Sequence, residues 1–466
     1  MTIKTAKHIH FTGIKGVGMT AVALCAQDLG AAVTGSDVAG EFVTAEALKA
    51  RALNATPDFD PAGVDPATDL LVYTGAHQGA KNPQVIGAAS RGVPCISLAQ
   101  ATGQLMEGKI GLSVCGVGGK TTTSAMLATI LHSAGRHPSY VVGVGNVASL
   151  PFPGKYDLQG QHFVAEADEY ATSPGSDTTP RFLHQHPQAI MCTNIRHDHP
   201  DMYPDLTATK AAYLAFFKAL PPDGVLIYHS DCPHTPALIA DLKVNKISVG
   251  HAVGSTYQLV DVLSQSGQSR VSFVENGQVQ QLVLKVPGDF NAKNALMAYA
   301  TARHYGLTHQ EIQDALLTFT GTSRRFEYKG TYHDALFYDD YAHHPSEIVS
   351  TITAAREWFP GKKIMVVFES HTYSRTKVLL PEFAVSFTGA DRVVITDIFA
   401  SARESEDLSI SGQILAEAVL VHNPRTVFVP KVDLVQYINQ NIDNDTVLFT
   451  MGAGDVYTIH HHFFRK

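Results

Sequence analysis

Residues 115–124 read CGVGGKTTTS, and their types suit the binding of a phosphate group. Glycines let backbone N–H groups approach an anion, the lysine adds a point charge, and hydroxyls follow at once. A common P-loop reads GxxxxGK[ST], but Val114 stands where its first glycine belongs, so the match is the shorter G-x-x-G-K-T. The alternative is a glycine-rich turn with an exposed lysine. The candidate nucleotide-binding residues are Gly116, Gly118, Gly119, Lys120, Thr121 and Thr122.

The elements on either side of this loop are predicted from apolar patterns. Residues 109–115 form a short apolar run that is typical of a strand. After the loop, apolar residues recur at helical spacing, at Met126, Leu127, Ile130 and Leu131. The loop therefore lies between a strand and a helix N-terminus, where unpaired N–H groups attract anions.

Length and charge bound the class of protein. The chain has 466 residues, of which 45% are hydrophobic, and this length predicts roughly three domains. The formal charge is −8 and basic residues form no block, so nucleic acid is not an expected partner and small molecules are. No apolar run approaches the length needed to cross a bilayer, which predicts a cytoplasmic protein without membrane insertion.

Cysteine and histidine patterns do not indicate a metal cluster. The five cysteines lie far apart without a C-x-x-C pair, which argues against a disulfide framework and against zinc. Three histidines, residues 460–462, stand near the end of the chain without acidic or cysteine partners. We interpret them as a solvated helix end.

A second glycine turn stands near the N-terminus. Residues 9–14 and 32–37 predict strands with a helix between them, and Asp37 closes the second strand. The glycines fall at Gly13, Gly16 and Gly18, which gives G-x-x-G-x-G and not the G-x-G-x-x-G of NAD-binding folds. A nucleotide with a diphosphate fits this turn, whereas NAD does not follow from it.

Apolar runs alternate with helical patterns along the whole chain, which predicts an α/β fold. The exception is the region 245–285, where Val and Leu alternate with polar residues and an antiparallel segment is expected. The three predicted domains are residues 1–105, 106–322 and 323–466.

Nine short motifs, taken in order, carry a family resemblance: GIKGVGM, GKTTT, AEADE, TNIRHDHPDMY, NAKNALMA, RRFEYKG, DDYAHHPSE, SHTYSRT and GAGD. In this order they resemble the Mur ligases of peptidoglycan synthesis, over nearly the whole chain. The resemblance implies three domains: a Rossmann-like N-terminal domain for a UDP-sugar, a central P-loop ATPase-type domain, and a C-terminal Rossmann-like domain that closes on nucleotide and amino acid.

The resemblance also implies the chemistry. ATP and Mg²⁺ are the expected cofactors, and the small-molecule substrates are UDP-N-acetylmuramate and an amino acid, with L-alanine as the first choice. A carboxylate does not expel oxide, so it is first activated as an acyl phosphate, which the amine then attacks. The protein is expected to be a monomer or a homodimer.

Residue roles follow from matching each motif to the family. The implied catalytic residues are Lys120, Glu166, His199, His343 and Arg375. The implied metal ligands are Thr121, Glu166 and His199. The implied additional nucleotide contacts are Asn291, Asn294, Arg325 and Tyr341. The implied UDP-sugar contacts are Gly13, Gly16, Gly18, Met19 and Asp37.

This chain departs from the family pattern in three motifs. Val117-Gly118 replaces a polar pair, Phe290 replaces a histidine, and Thr372 replaces an arginine. If that arginine orients the nucleotide or the amino acid, either Arg375 or Arg403 must compensate, or the activity differs. These departures leave open an ATP-binding regulatory module without ligation. Two further alternatives are a ligase that attaches a recycled peptide to UDP-muramic acid and an NAD-dependent dehydrogenase, which the glycine spacing already disfavours. GIKGVGM favours the amino-acid ligase over the peptide ligase.

Overall fold

The computed structural model describes residues 1–40, 42–265, 267–400 and 407–464. The chain divides into two compact units. The first unit comprises Met1–Asp261, Val271–Leu284 and Asn291–Thr322. The second unit comprises Val262–Arg270, Lys285–Phe290 and Ser323–Lys466. The finer division at residues 105 and 322 stays a prediction.

The first unit begins with a parallel five-stranded sheet in the order β3-β2-β1-β4-β5. Its strands are β1 His8–Thr12, β2 Ala32–Ser36, β3 Ala55–Thr56, β4 Leu70–Tyr73 and β5 Cys95–Ser97. Its helices are α1 Val17–Asp28, α2 Ala45–Ala50, α3 Pro83–Ser90 and α4 Leu98–Met106. Phe11, Leu24 and Val72 are fully buried in its core, as apolar strand runs require.

A ten-stranded sheet follows, in the order β17-β16-β15-β14-β13-β12-β6-β9-β7-β8. The strands are β6 Ile110–Cys115, β7 Ser139–Val141, β8 Gly154–Lys155, β9 His162–Glu166, β12 Ala189–Cys192, β13 Val225–His229, β14 Asn245–Gly250, β15 Tyr257–Gln265, β16 Gln268–Glu275 and β17 Gln278–Leu284. A separate antiparallel pair is β10 Ala171–Ser173 with β11 Asp177–Pro180. The helices are α5 Lys120–Ser133, α6 Leu206–Phe217, α7 Thr235–Leu238, α8 Asp289–His304 and α9 His309–Leu316.

The predicted antiparallel segment is wrong at its start. Strand β14 pairs parallel with β13, with Ile227 opposite Ile247. Strand β14 also pairs parallel with β15, and β15, β16 and β17 then lie side by side in chain order. Asn276-Gly277 joins β16 to β17, with φ of 52° and 77°, which is the left-handed conformation that such a tight turn needs.

The second unit holds a six-stranded sheet in the order β18-β19-β23-β20-β21-β22. Its strands are β18 Glu327–Tyr332, β19 Ala335–Asp340, β20 Lys363–Phe368, β21 Arg392–Ile395, β22 Thr426–Phe428 and β23 Thr446–Met451. Strand β18 pairs antiparallel with β19, and the other pairs are parallel. The helices are α10 Pro345–Trp358, α11 Tyr373–Val378, α12 Leu380–Ser386, α13 Gly412–Leu420, α14 Leu434–Asn441 and α15 His460–Phe463.

The histidines of α15 differ from the expected solvated helix end. His461 and His462 are exposed, but His460 is buried and its Nε2 lies 2.8 Å from the hydroxyl of Thr450. Burial lowers the pKa of His460 to about 3, which keeps the ring neutral. The helix spacing turns one histidine of three toward the core.

Parallel sheets flanked by helices confirm the predicted α/β class. Across the described part of the chain, no helix is both long enough and apolar enough to cross a membrane.

Candidate functional site

The glycine loop between β6 and α5 is tightly enclosed. Gly116 has φ of 127°, and a Cβ there would lie 2.1 Å from the Thr193 hydroxyl. Gly119, the N-cap of α5, has φ of 88°, and its Cβ would lie 2.6 Å from Oδ1 of Asn294. Both positions therefore require glycine for conformation and for space.

Two residues that the sequence did not single out hold this loop. The hydroxyl of Thr193 donates to the Gly118 carbonyl at 2.6 Å. The Asn194 amide accepts from the Val117 N–H at 3.1 Å and donates to the Gly118 carbonyl at 3.1 Å. Although Val117-Gly118 replaces a polar pair of the family pattern, the loop is still held, because Thr193 and Asn194 bind the backbone groups of these two residues.

Lys120 is the first residue of α5 and lies among carboxylates. Its Nζ is 3.1 Å from Oε2 of Glu169, which is buried. Burial alone would lower the pKa of Lys120, but the negative charges of Glu169, Asp168 and Glu166 outweigh it and raise the pKa well above its usual value. The lysine therefore stays charged.

Thr121 contacts the first glutamate of AEADE. Its hydroxyl donates to Oε2 of Glu166 at 2.9 Å, while Oε1 accepts the Gly143 N–H at 2.6 Å. Burial raises the pKa of Glu166, and both hydrogen bonds oppose that shift. Thr122, the next residue, is buried.

His199 lies beside the second glutamate of AEADE. Its Nε2 is 3.8 Å from Oε1 of Glu169, and its ring is 4.6 Å from that of Tyr170. One ligand atom each from Asp168, Glu169 and His199 lies within 4.8 Å of the other two. Burial raises the pKa of Asp168, yet Arg181, Lys120 and His199 bring it down to about 2.

These donor groups fit a divalent cation. Carboxylate oxygens and a hydroxyl suit Mg²⁺, and an imidazole nitrogen completes a mixed set. The structure places Thr121 with Glu166 and places His199 with Glu169 and Asp168. Glu169 and Asp168 belong to the AEADE motif, but nothing in the motif singles them out as metal ligands.

Asn291 and Asn294 lie in the first turns of α8 and are buried. The close approach of Asn294 to Gly119 puts its amide at the nucleotide loop. An amide offers paired donor and acceptor groups, as an adenine edge requires.

The N-terminal glycine turn connects β1 to α1. Gly13 has φ of 86°, and a Cβ there would lie 2.5 Å from Cγ2 of Thr74. Gly16 is the N-cap of α1, Gly18 faces Leu98, and Met19 is buried against Gly16.

Asp37 fixes this turn from the end of β2. It is buried, and its two oxygens accept the N–H groups of Lys15 and Val38, each at 2.8 Å. The Nε2 of His77 lies 3.5 Å from the same carboxylate. The predicted UDP-sugar residues are thus gathered at one edge of the first sheet.

In the second unit, several predicted residues cluster after β19. The Arg325 guanidinium lies 5.1 Å from the Tyr341 ring centre and 3.7 Å from Glu347. The Nδ1 of His343 is 2.9 Å from the Tyr341 carbonyl and 3.4 Å from Glu347. Burial would raise the pKa of Glu347, but His343 and Arg325 lower it.

The neighbouring Arg324 was missed by the sequence reasoning. It is buried, pairs with Asp339 at 3.1 Å, and donates to the carbonyls of Gly452 and Gly454. Its guanidinium lies 4.9 Å from the Tyr341 ring centre. The doubled arginine in RRF was the available signal.

Arg375 lies in α11 and is half-buried. Thr372, at the departure from the family pattern, precedes it with φ of 75°. Arg403, the other candidate for the missing charge, lies outside the described residues.

Comparison with known families decides the wider relationship. Three family models match the chain. The model for the "Mur ligase family, catalytic domain" matches residues 8–110, and the model for the "Mur ligase middle domain" matches residues 114–302. The model for the "Mur ligase, glutamate ligase domain" matches residues 324–454. The chain belongs to the Mur ligase family. Mur ligases are ATP-dependent amide ligases that form ADP.

Full-length relatives of this Mur ligase are known. It is 37% identical to the UDP-N-acetylmuramate–L-alanine ligase of Desulfitobacterium hafniense, over 97% of this chain and 98% of the relative. The crystal structure of UDP-N-acetylmuramate-alanine ligase from Thermotoga maritima has a TM-score of 0.81 at 27% identity, with 98% of each chain covered. A murein peptide ligase from Psychrobacter arcticus matches with a TM-score of 0.72 at 24% identity and 98% coverage of each chain, which shows a shared fold.

These findings confirm the predicted family and the predicted three-domain Mur ligase fold. The roles given to single residues stay predictions, although the structure gathers most of them at the edges where the parallel strands end.

Proposed function

We propose that this protein is an ATP-dependent ligase that joins L-alanine to the carboxylate of UDP-N-acetylmuramate in peptidoglycan precursor synthesis. The observation that carries the proposal is the placement of Lys120 at the N-terminus of α5, beside the carboxylates of Glu169, Asp168 and Glu166. The names of the relatives support the choice of substrates. A cytoplasmic location is part of the proposal.

The nucleotide loop and Lys120 would bind the phosphates of ATP. The N–H groups at the start of α5 and the lysine charge stabilise negative charge as the γ-phosphate moves to the substrate carboxylate. Mg²⁺, when bound by Thr121, Glu166 and His199 with the help of Glu169 and Asp168, would neutralise charge on the phosphate oxygens. Asn294 would contact the adenine.

The second unit would act on the later step. His343 and Arg325 are held by Glu347, and Arg375 adds a cation in the same unit. Cationic and aromatic side chains of this kind suit the carboxylate of an amino acid. The amine then attacks the acyl phosphate, and phosphate leaves.

The test is ADP release by the purified protein with UDP-N-acetylmuramate and one amino acid at a time. We expect release that needs both substrates and is fastest with L-alanine. A parallel assay with a murein tripeptide examines the peptide-ligase alternative. Release that is independent of both substrates would contradict ligation.

A further inference from the structure

The first unit contains two buried glutamines, Gln84 and Gln185, which contact strand ends in different sheets. Their side chains are 0% and 4% exposed. A buried amide must satisfy both its donors and its acceptor, so its partners are held in fixed positions. Neither glutamine is among the predicted binding residues.

Gln84 is the second residue of α3 and joins the ends of β1 and β2. Its Oε1 accepts the hydroxyl of Thr12 at 3.1 Å and the hydroxyl of Ser36 at a shorter distance. Its Nε2 donates to the Asp60 carbonyl at 3.1 Å. Thr12 immediately precedes Gly13, and Ser36 immediately precedes Asp37.

His10 completes this network. Its Nε2 lies 3.3 Å from Oε1 of Gln84, and its Nδ1 lies 2.9 Å from the Thr34 hydroxyl. Burial lowers the pKa of His10 to about 4, so the ring is neutral near pH 7 and one nitrogen donates while the other accepts. The ends of both strands are thereby fixed relative to α3.

Gln185 likewise joins two strands, in the ten-stranded sheet. Its Oε1 accepts the Ser113 hydroxyl at 2.6 Å, and its Nε2 donates to the Glu166 carbonyl at 2.8 Å. Ser113 lies in β6, which leads into the nucleotide loop, and Glu166 is the last residue of β9. The two strands are direct neighbours, with Val114 opposite Glu166.

We infer that Gln84 and Gln185 are positioning residues that set the affinities for the two nucleotides separately. Gln84 positions the glycine turn and Asp37 for the UDP part of the sugar nucleotide. Gln185 positions the nucleotide loop and Glu166 for ATP. The inference rests on the proposed function, because it takes the first edge as the UDP-sugar site and the second as the ATP site.

The experiment measures binding of UDP and of ADP with magnesium by calorimetry, in the full-length protein. Gln84→Met removes four polar contacts at similar size and should weaken UDP binding about tenfold while ADP binding changes less than twofold. Gln185→Met should do the reverse. Each variant is the control for the other.

A milder matched pair keeps the test valid if a methionine variant does not fold. Ser36 and Ser113 are both fully buried serines, and each donates a hydroxyl to one of the glutamines. Ser36→Ala should weaken UDP binding a few-fold and leave ADP unaffected, and Ser113→Ala should show the opposite selectivity. A merely structural role would lower stability without separating the two affinities.

Conservative variants test the amide donors. Gln84→Glu keeps an acceptor for both hydroxyls but places a carboxylate oxygen against the Asp60 carbonyl oxygen, and Gln185→Glu does the same at the Glu166 carbonyl oxygen. Neither variant should therefore recover the affinity that its methionine counterpart loses.

The outcomes separate the two claims. If the wild-type protein binds UDP and ADP but each variant weakens both equally, the inference is overturned and the proposed function stands. If the wild-type protein neither binds UDP nor ligates, the proposed function fails and the inference fails with it.

Discussion

Lys120 lies among three carboxylates, and this imbalance has a consequence for catalysis. Glu166, Asp168 and Glu169 outnumber the two cations Lys120 and Arg181, and the carboxylates raise the pKa of Lys120. Such a site repels a bare polyphosphate and attracts a divalent cation. Nucleotide binding should therefore depend strongly on magnesium, with Lys120 acting chiefly as the phosphate moves.

Replacing Lys120 by alanine should lower ADP formation at least about 100-fold, because one phosphate-stabilising contact is lost in the transition state. Steady-state ADP release measures this, with a circular dichroism spectrum to establish folding. Lys155→Ala is the control, since Lys155 also pairs with a carboxylate, Asp157 at 3.4 Å, outside the nucleotide loop. Undiminished turnover in folded Lys120→Ala would contradict the phosphate role.

The position of His199 predicts which glutamate shares its function. A double-mutant cycle of His199→Ala with Glu169→Gln should be strongly non-additive in the magnesium concentration needed for half-maximal activity, because the two side chains are neighbours. The parallel cycle with Glu166→Gln should show weaker coupling, since Glu166 is fixed by Thr121 and Gly143. Equal coupling in both cycles would contradict a special role for the direct contact between His199 and Glu169.

The choice between these glutamates could not be made from sequence. Strand β9 ends at Glu166, so the alternation of side chains that a strand guarantees stops there. The directions of Asp168 and Glu169 depend on the following loop. A motif therefore predicts a set of carboxylates at a sheet edge and not the contacts that each one makes.

At the scale of elements, the strand, loop and helix around residues 109–133 were predictable because the glycines and the apolar periodicity are local. The residues that enclose the loop are not local. Thr193 and Asn194 come from the end of β12, and Asn294 comes from α8. Hydrogen bonds across such separations in sequence depend on the sheet order, which a single sequence does not specify.

Helix α5 offers a matched pair of glycines. Gly119 at its start and Gly135 just past its end have φ of 88° and 66°, so alanine at either position costs about 1 kcal/mol of conformational strain. At Gly119 the new Cβ would meet Asn294. At Gly135 a new Cβ would have no neighbouring atom within 4 Å beyond its two chain neighbours. We expect Gly119→Ala to weaken ADP binding at least tenfold and Gly135→Ala to leave it unchanged, with both measured by calorimetry and chemical unfolding. Equal affinities in the two variants would refute a close-packed nucleotide loop.

For the whole molecule, the α/β class and the family were predictable because buried parallel strands appear as apolar runs and because the motifs keep their order. The short strands β10 and β11 and the parallel pairing of β14 were not, since polar or brief segments carry little periodic signal. The chain also buries titratable groups whose pKa values shift in opposite directions. Burial lowers the pKa of His10 in the first unit to about 4, whereas burial raises the pKa of Asp340 in the second unit to about 6.

These shifts give the two side chains opposite pH dependences. The folded pKa of His10 lies below its ordinary value of 6.5, so its contribution to stability is present above pH 6.5 and is lost as the pH falls toward 4. The folded pKa of Asp340 lies above its ordinary value of 3.8, so its contribution is present below that value and is lost as the pH rises through 6. Each effect is on the order of 3 kcal/mol.

The only tryptophan of the chain, Trp358, lies in α10 and therefore reports on the second unit alone. We expect its fluorescence to report a free energy of unfolding to which Asp340 contributes more as the pH falls from 6.5 to 4. Asp340→Asn should abolish that contribution. The variant loses a backbone acceptor, because Asp340 accepts the N–H groups of Phe326 and Ala342, so it should be less stable at every pH. The test is thus the difference between the wild-type and variant pH curves, since Arg325 and Glu347 act on both. Parallel curves between pH 4 and 6.5 would mean that Asp340 does not titrate in this range, and that burial does not dominate its environment.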